Sequence, residues 1–491
     1  MYSNAHDSDK LEMGKRRLRC LFEPHGVAVI GASPRPSLAN RILNNIVSSG
    51  FDGQIAAVNP NYTNIGDVRC YSSISDVPFK VDLAVLCVRA ENTLAVLEEC
   101  EQTSVGAVQI VSSGFAELDS EEGRARQRQV QRWANNSTTV VIGPNTFGVI
   151  NLHRPIVAVG DIRTPEIVTG GVSGVFQSGQ MTAIIYPLMS RGVGVSKIAT
   201  TGNEVSVTTA ELIDFFAGDP QTDSIVSYCE GIKDPERFAM ACTHARQQGK
   251  PIIMLRAGAH PEVRKAIKRH TATEATNTYQ REIQMLQDLS VITVDSVEDL
   301  IETVIAFKAS RGLRGNRVAF VSFSGGMGNV VADSILSTPA LKLTSFSDRL
   351  RKRLRDVLPR FANSFNPLDL SAQSVFETGV LNSCMQVLGE SGEFDVLLWG
   401  RDLPMSIEED SQVGIALRQL AVQHPEIVAI PVSQVSGVCR GKTIDGSPPM
   451  FAGRALLQGT GISIRALGKV VGWHVSALRL GLATSTLQAP R

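Results

Sequence analysis

The sequence has no excess of charge of either sign: 48 Lys+Arg balance 48 Asp+Glu, and no long Lys/Arg run occurs. Proteins that track nucleic acid or an anionic membrane surface work through a clear basic excess, so neither partner is expected. Also missing is any stretch near the roughly 20 uninterrupted apolar residues that a spanning helix needs. The first twenty residues, MYSNAHDSDKLEMGKRRLRC, are polar and lack the apolar core of a signal peptide, so a cytoplasmic location is expected. The eight cysteines (Cys20, Cys70, Cys87, Cys100, Cys229, Cys242, Cys384, Cys439) form no Cys-x-x-Cys pair and have no His at ligand spacing. Reduced structural thiols are expected, with neither a disulfide framework nor a metal site.

What is present is ordinary globular composition, 43% hydrophobic and 20% charged with 42 Gly, which argues against disorder, collagen and coiled coil. At roughly 100–200 residues per domain, the length suggests about three domains. Short apolar runs recur, each ending in a Gly-containing turn and followed by a helix-like segment, the signature of an α/β fold. Val27-Ala-Val-Ile30, Ile55-Ala-Ala-Val58, Leu83 to Val88, Ala107 to Val111 and Val140-Val-Ile142 lack alternation and read as strands buried on both faces of a parallel sheet. Helical patterns lie between them at Arg41 to Ser48, Thr93 to Glu101 and Glu121 to Ala134. A second series holds Gly174-Val-Phe176, Ser196 to Thr200, Ser224 to Tyr228, Pro251 to Leu255 and Val291 to Val294. A third opens at Arg317 to Ser322 and continues with Val396 to Trp399 and Ile427 to Ile430; the basic segment Lys308 to Arg317 reads as a linker between the two.

Each series opens with a strand, a small-residue turn and a helix. The first turn, Gly31-Ala-Ser-Pro34, lets the backbone approach a ligand, and free N–H groups at the following helix start favour an anion. It is not Gly-x-Gly-x-x-Gly, so a nicotinamide cofactor is disfavoured, and a plain turn without ligand stays open. Asn59-Pro60, Ser112-Ser113-Gly114 and Gly143-Pro144-Asn145 fall just past strand ends, where open α/β sheets bind ligands. The second turn, Gln177-Ser178-Gly179-Gln180, leads into an expected helix from Met181 to Met189; the third is Ser324-Gly325-Gly326-Met327-Gly328. Two bare helix N-termini suit a phosphate held from both sides, although each alone could be only a tight turn.

His270 lies in the basic stretch Lys268-Arg269-His270-Thr271-Ala272-Thr273 after a helix-like segment. Imidazole is a competent phosphoryl acceptor when a carboxylate orients its other nitrogen. Glu230, at the end of a buried-looking strand, is a candidate for that carboxylate. A surface histidine, and a capping or ion-paired glutamate, are the plain alternatives.

The order of motifs resembles the NDP-forming acyl-CoA synthetases, relatives of succinyl-CoA synthetase. The motifs are Val27-Ala-Val-Ile-Gly-Ala-Ser33, Val58-Asn-Pro60, Ser113-Gly-Phe-Ala-Glu117, Gly143-Pro-Asn-Thr146, Gln177-Ser-Gly179, Thr201-Gly-Asn203, Glu230-Gly-Ile-Lys-Asp234, the His270 segment, Phe323-Ser-Gly-Gly326 and Asn366-Pro-Leu-Asp-Leu370. The resemblance implies an N-terminal Rossmann-like, doubly wound CoA-binding domain followed by two flavodoxin-like ligase domains. The expected boundaries are a polar extension over 1–20, the CoA-binding domain over 21–150, a ligase domain with a phosphohistidine loop over 170–305 and a C-terminal ligase domain over 317–480. Carried onto this sequence, it implies that Gly31, Ala32, Ser33, Asn59, Pro60 and Ser113 hold coenzyme A, with Asn145 near its thiol end. His270 would be phosphorylated, with Glu230 orienting it. Ser178 and Gly179, opposite Gly325, Gly326 and Gly328, would bind the phosphate.

The implied reaction converts a carboxylic acid, CoA and ATP to acyl-CoA, ADP and phosphate by way of phosphohistidine and an acyl phosphate. The nucleotide-loading ATP-grasp module of such enzymes has no counterpart here, so ATP and Mg2+ are expected through a separate ATP-grasp subunit, in a hetero-oligomer such as α2β2. The loop also departs from the family pattern: Arg269 stands where a small residue is usual and Ala272 where Gly is usual. A phosphate-dependent acyl or carbamoyl transferase without ATP, and a non-catalytic CoA-binding regulatory protein, are the alternatives.

Overall fold

In a computed structural model, residues 18–160, 168–271, 279–372, 374, 378–401, 411–437 and 455–479 are described. Cys439, Ala272 and Thr273 lie outside these residues. The chain divides into two compact units. One comprises Met1–Ile185, Gly194–Ala245 and Met254–Thr293; the other comprises Tyr186–Val193, Arg246–Ile253 and Val294–Arg491.

The first sheet contains β1 (Gly26–Ile30), β2 (Gln54–Val58), β3 (Asn64–Ile65), β4 (Val68–Tyr71), β5 (Leu83–Leu86), β6 (Ala107–Ile110) and β7 (Val140–Ile142). Their order is β3-β4-β2-β1-β5-β6-β7, with the short β3 antiparallel to β4 and the other pairs parallel. The five expected strands are all present. β3 and β4 add two, missed because a two-residue strand and the half-exposed Val-Arg-Cys-Tyr run carry too short a pattern to read. Every residue of β1, β5 and β6 is buried, as strands covered on both faces must be.

The second sheet contains β8 (Val149–Asn151), β9 (Ile156–Val157), β10 (Thr169–Phe176), β11 (Val195–Thr200), β12 (Ser224–Cys229), β13 (Ile252–Arg256) and β14 (Ile292–Val294). The order is β14-β13-β12-β10-β11-β8-β9, with β10 parallel to both neighbours and β8 antiparallel to β11. β1 in the first sheet and β10 in the second have later strands on opposite sides, β2 and β5 for the one and β11 and β12 for the other, which leaves a crevice beyond the carboxyl end of each.

These two sheets are stitched together by contacts within the first unit. Asn151 Nδ2 donates to the carbonyl of Phe22 at 2.9 Å, Gln109 Nε2 to that of Ala158 at 2.8 Å, and Asn45 Nδ2 to that of Val159 at 2.6 Å. Phe22 stacks on Phe215 with centroids 5.3 Å apart and meets Phe216 edge-on at 5.4 Å. Phe22 and Phe216 have no exposed surface, and burying each ring removes about 2–3 kcal/mol worth of apolar area from water.

The third sheet lies in the other unit: β15 (Arg317–Ser322), β16 (Lys342–Leu343), β17 (Leu368–Asp369), β18 (Val396–Arg401), β19 (Val428–Ser433) and β20 (Leu457–Gln458). Its order is β16-β15-β18-β19-β20, with β17 also on β15 and every pair parallel. Trp399, Leu397, Leu354, Leu388 and Leu420 centre one apolar cluster on it. The expected linker does not start at Lys308, which lies in the last turn of the helix Val297–Ala309; Ser310 caps that helix and Leu313 is buried.

Candidate functional site

The site is built from strand ends. Gly31 follows β1 with φ +91°, and a Cβ there would lie 2.7 Å from the Cys87 carbonyl oxygen, so both backbone and space call for glycine. Its N–H donates to Val58 O at 2.9 Å. Asn59 Nδ2 donates to Ala32 O at 2.8 Å, and Asn40 Nδ2 to Ser33 O at 3.0 Å. Ser37 caps the helix Leu38–Ser48 by accepting from Asn40 N. Gly31, Ala32, Ser33 and Asn59 therefore meet at the carboxyl edge of the first sheet, with exposed Pro60 beside Asn59.

The ends of β6 and β7 meet on the same edge. Ser113 Oγ donates to Asn145 Oδ1 at 2.8 Å, and Asn145 N–H donates to Ser112 O at 3.0 Å from a left-handed backbone, φ +58°. The turn at Thr201-Gly202-Asn203, just past β11, lies on this edge. A Cβ at Gly202 would stand 2.2 Å from Pro144 O, and Asn203 N–H donates to that same oxygen at 2.9 Å. The buried Asn203 side chain donates to Glu117 Oε2 at 2.6 Å and Gln127 Oε1 at 2.9 Å. The other oxygen of Glu117 accepts from Gly114 N at 2.6 Å and Phe115 N at 3.1 Å. One carboxylate thus fixes the Ser113-Gly114-Phe115 loop and fastens it to the second sheet.

At the end of β10, Gln177 uses both ends of its buried side-chain amide. Oε1 accepts from Glu230 N at 2.5 Å and Gly231 N at 3.1 Å; Nε2 donates to Gly231 O at 2.8 Å and Glu204 Oε1 at 3.2 Å. Glu204, itself buried, also accepts from Thr209 N and Thr209 Oγ1 at the start of the helix Thr209–Gly218. Glu230 is buried, its Oε1 accepts from Tyr228 Oη at 3.1 Å, and its carbonyl accepts from Arg256 Nη1 at 2.9 Å. Burial first, and the Glu230 charge second, push the Tyr228 phenol up, so it stays a hydrogen-bond donor; burial pushes the Cys229 thiol up to about 12. Lys233 is exposed overall, but its ammonium turns inward onto Asn203 O at 2.6 Å and Glu204 O at 3.1 Å, and desolvation lowers its pKa.

Ser178 and Gly179 follow Gln177 directly. The expected helix from Met181 is instead a 3-10 helix over Gly179–Ile184 and an α-helix over Ile185–Ser190. Pro187 explains the late start, because a proline fits only the first turn of an α-helix. The Ser178 side chain makes no capping bond. A Cβ at Gly179 would lie 2.0 Å from the Phe147 ring, so glycine here admits an aromatic side chain from the Asn145 turn.

In the other unit, Ser324 caps the helix Gly325–Leu336 by accepting from Met327 N at 3.3 Å. A Cβ at Gly325 would lie 2.8 Å from Asp369 Oδ2 and one at Gly328 3.1 Å from Pro367, whereas Gly326 is open. This turn and the Ser178–Gly179 turn belong to different compact units.

The backbone of His270 belongs to the helix Pro261–Thr271 rather than to a loop after it, and that helix lies against the short turn Ala116–Leu118 beside Glu117. The side chains of Lys268, Arg269 and His270 lie outside the described residues. Sequence reasoning missed the structural parts of Gln177, Asn203, Glu204, Lys233 and Arg256. Arg256 had a readable signal: it ends the apolar strand Ile252–Arg256, and a charge so placed needs partners. Among the described residues no group of three or more His, Cys, Asp or Glu could hold a metal, and no helix is long and apolar enough to cross a membrane.

Two family descriptions match the chain in order: a CoA binding domain over residues 25–151 and a succinyl-CoA ligase-like flavodoxin domain over 169–307. The acetate–CoA ligase [ADP-forming] II subunit alpha of Pyrococcus furiosus is 30% identical over 355 residues, covering 72% of this chain and 76% of that protein. Acetate–CoA ligase [ADP-forming] II of Archaeoglobus fulgidus is 33% identical over 359 residues, 72% of this chain and 52% of that protein, so the chain spans about half the length of this and similar curated relatives. A trans-feruloyl-CoA synthase from an unknown prokaryotic organism is 29% identical over 452 residues, 90% of this chain and 60% of that protein. The solved dinucleotide-forming acetyl-coenzyme A synthetase 1 of Ca. Korarchaeum cryptofilum, in complex with phosphate and ADP, shares the fold with a TM-score of 0.81 at 24% identity, over 95% of this chain and 99% of that one. A CoA-binding domain followed by a flavodoxin-like ligase domain, with this likeness to the Pyrococcus subunit, makes the chain a member of the ADP-forming acyl-CoA synthetase family.

Proposed function

We propose that this chain is the CoA- and acyl-handling subunit of an ADP-forming acyl-CoA ligase. The observation that carries the reading is that one compact unit gathers a glycine turn at a sheet switch point (Gly31–Ser33 with Asn59), the Ser113–Asn145 pair and the Gln177-held Glu230. In this reading Gly31, Ala32, Ser33, Asn59, Pro60 and Ser113 hold coenzyme A, and Asn145 stands near its thiol. Ser178 and Gly179 offer N–H groups to phosphate, as do Gly325, Gly326 and Gly328 in the other unit. The domain limits that go with it are 21–150, 170–305 and 317–480.

The chemistry follows from the poor acyl-donor character of a carboxylate. One of its oxygens attacks the phosphorus of phosphorylated His270; the N–P bond breaks with its electron pair returning to the ring nitrogen, an acyl phosphate forms, and the imidazole is left neutral because its other nitrogen keeps its proton. The CoA thiolate then attacks the acyl carbon, the C–O bond breaks and phosphate leaves with that electron pair. Glu230 accepts the N–H of the His270 ring, which keeps the other nitrogen nucleophilic for phosphorus. The Pyrococcus relatives named as alpha subunits support a division of labour in which a separate ATP-grasp subunit exchanges phosphate between His270 and Mg-bound nucleotide. A hetero-oligomer such as α2β2 and a cytoplasmic location fit that division.

The test uses the purified chain with [32P]orthophosphate and, separately, acetyl-, 4-hydroxybutyryl- or feruloyl-CoA. One of these acyl-CoAs should yield acid-labile label on the wild type that is lost in His270→Ala. Acyl transfer to phosphate with no labelled histidine would favour the phosphate-dependent transferase instead.

A further inference from the structure

Arg256 gathers three parts of the chain at one buried point. It is 8% exposed at the end of β13, and its guanidinium is used on every edge. Nη1 donates to Glu230 O at 2.9 Å and to Ala257 O; Nε and Nη2 donate to Glu282 Oε2 at 2.9 and 2.5 Å. The guanidinium also stands 5.5 Å from the centroid of the Tyr279 ring. Ala257 is where the chain leaves the sheet toward the helix Pro261–Thr271 that includes His270; Tyr279 and Glu282 open the helix by which it returns.

Both ends of the His270-bearing excursion are therefore held by one side chain, and that side chain also holds the peptide of Glu230, whose N–H is held by Gln177. A planar guanidinium is suited to this, because its donors point outward in a fixed fork and it remains charged at every working pH. Lysine would offer a single point of attachment. Burying an Arg–Glu pair carries a desolvation cost that apolar residues would not, so the pair is weak evidence of added stability; what its directed contacts supply is a fixed register between the segments they join.

We propose that Arg256, with Glu282, is a positioning pair that registers the His270 segment against Glu230. The inference rests on the proposed phosphohistidine reading. It says that the pair sets the rate at which His270 is phosphorylated and leaves phosphate binding at the Ser178–Gly179 turn unchanged.

The experiment measures initial rates of acid-labile labelling from [32P]orthophosphate and the active acyl-CoA on the full chain. The variants are Arg256→Met, Arg256→Lys and Glu282→Gln, with thermal midpoints measured in parallel. Arg256→Met and Glu282→Gln are expected to slow labelling at saturating phosphate at least tenfold with the KM for phosphate within twofold of wild type, and Arg256→Lys to give an intermediate rate. Glu282→Gln keeps side-chain shape and one acceptor oxygen and decides the matter if Arg256→Met does not fold. Label in the wild type with unchanged rates in Glu282→Gln, or a loss that follows KM and thermal midpoint alone, overturns the positioning role while leaving the phosphohistidine standing. No labelled histidine in the wild type overturns the function and this inference with it.

Discussion

Asn203 donates to Glu117 at 2.6 Å across 86 positions of sequence, and the same carboxylate holds the N–H groups of Gly114 and Phe115. The amide thus couples the turn after β11 to the loop that presents Ser113. Asn203→Ala removes a hydrogen bond to a charged, partly enclosed group and should cost about 2 kcal/mol in urea denaturation. Asn203→Asp sets two carboxylates against each other and should cost more than Asn203→Ala at low ionic strength, the difference narrowing as salt screens the repulsion. Equal losses for both variants at low and high salt would show that the coupling is not electrostatic.

Gln177 satisfies two buried peptide N–H groups with one oxygen. Gln177→Leu is close in size but leaves both donors without an acceptor, at about 1–3 kcal/mol each. The expected phenotype is reduced stability together with a fall in turnover larger than any change in the KM for phosphate, since the peptide of Glu230 loses its anchor while Ser178 and Gly179 keep their N–H groups. Steady-state kinetics at saturating phosphate distinguish this from simple loss of fold.

At Gly179 the argument is steric. A methyl group there would stand 2.0 Å from the Phe147 ring, so Gly179→Ala must displace the ring or the turn, with an expected cost of about 1–3 kcal/mol. Adding Phe147→Leu should restore most of the loss because the smaller side chain vacates the space. Failure of the double variant to recover stability would mean that the turn itself, rather than the ring, rejects the methyl group.

His474 gives a pH dependence in the other unit. The ring is 1% exposed, packed by Phe307 and Trp473 at 5.5 and 5.4 Å, and neither nitrogen has a hydrogen-bond partner among the described residues. Burial lowers its pKa from 6.5 to about 4. The folded state therefore favours the neutral ring, and the unfolded chain binds the proton first as pH falls. Stability is fully present above about pH 6.5 and declines toward pH 4, by about 3 kcal/mol in all. Comparing urea midpoints of the wild type and His474→Leu between pH 7 and 4.5 checks this; identical pH dependence would remove His474 from the account.

Much of this architecture was legible because parallel strands covered on both faces leave an unbroken apolar signature, and because glycine with φ above zero marks the turns at their ends. Gly31 and Gly143 needed no tertiary information to be noticed. The short strands β3, β4, β8, β9, β16, β17 and β20 were not legible: two to four residues carry no period, and their pairing is decided by neighbours remote in sequence. The side-chain relays were hidden for a related reason. Asn203 reads as an ordinary turn residue, and nothing local states that Glu117 will lie across from it. The helical turn at His270 was missed because the basic, small-residue stretch resembles a loop in composition.

The passage from β7 to β8 spans only residues 143–148, and within it lie Asn145, which meets Ser113, and Phe147, which fills the space over Gly179. Chain that leaves one sheet enters the next with no slack between them, and Gly202 and Asn203 close over it from the far side. Mechanically the two sheets are loaded in series through this strap. Strain introduced at Asn145 has no linker in which to dissipate, so occupancy of the first sheet's crevice should slow amide exchange in β8 and β11 as well as in the turn that makes the contact.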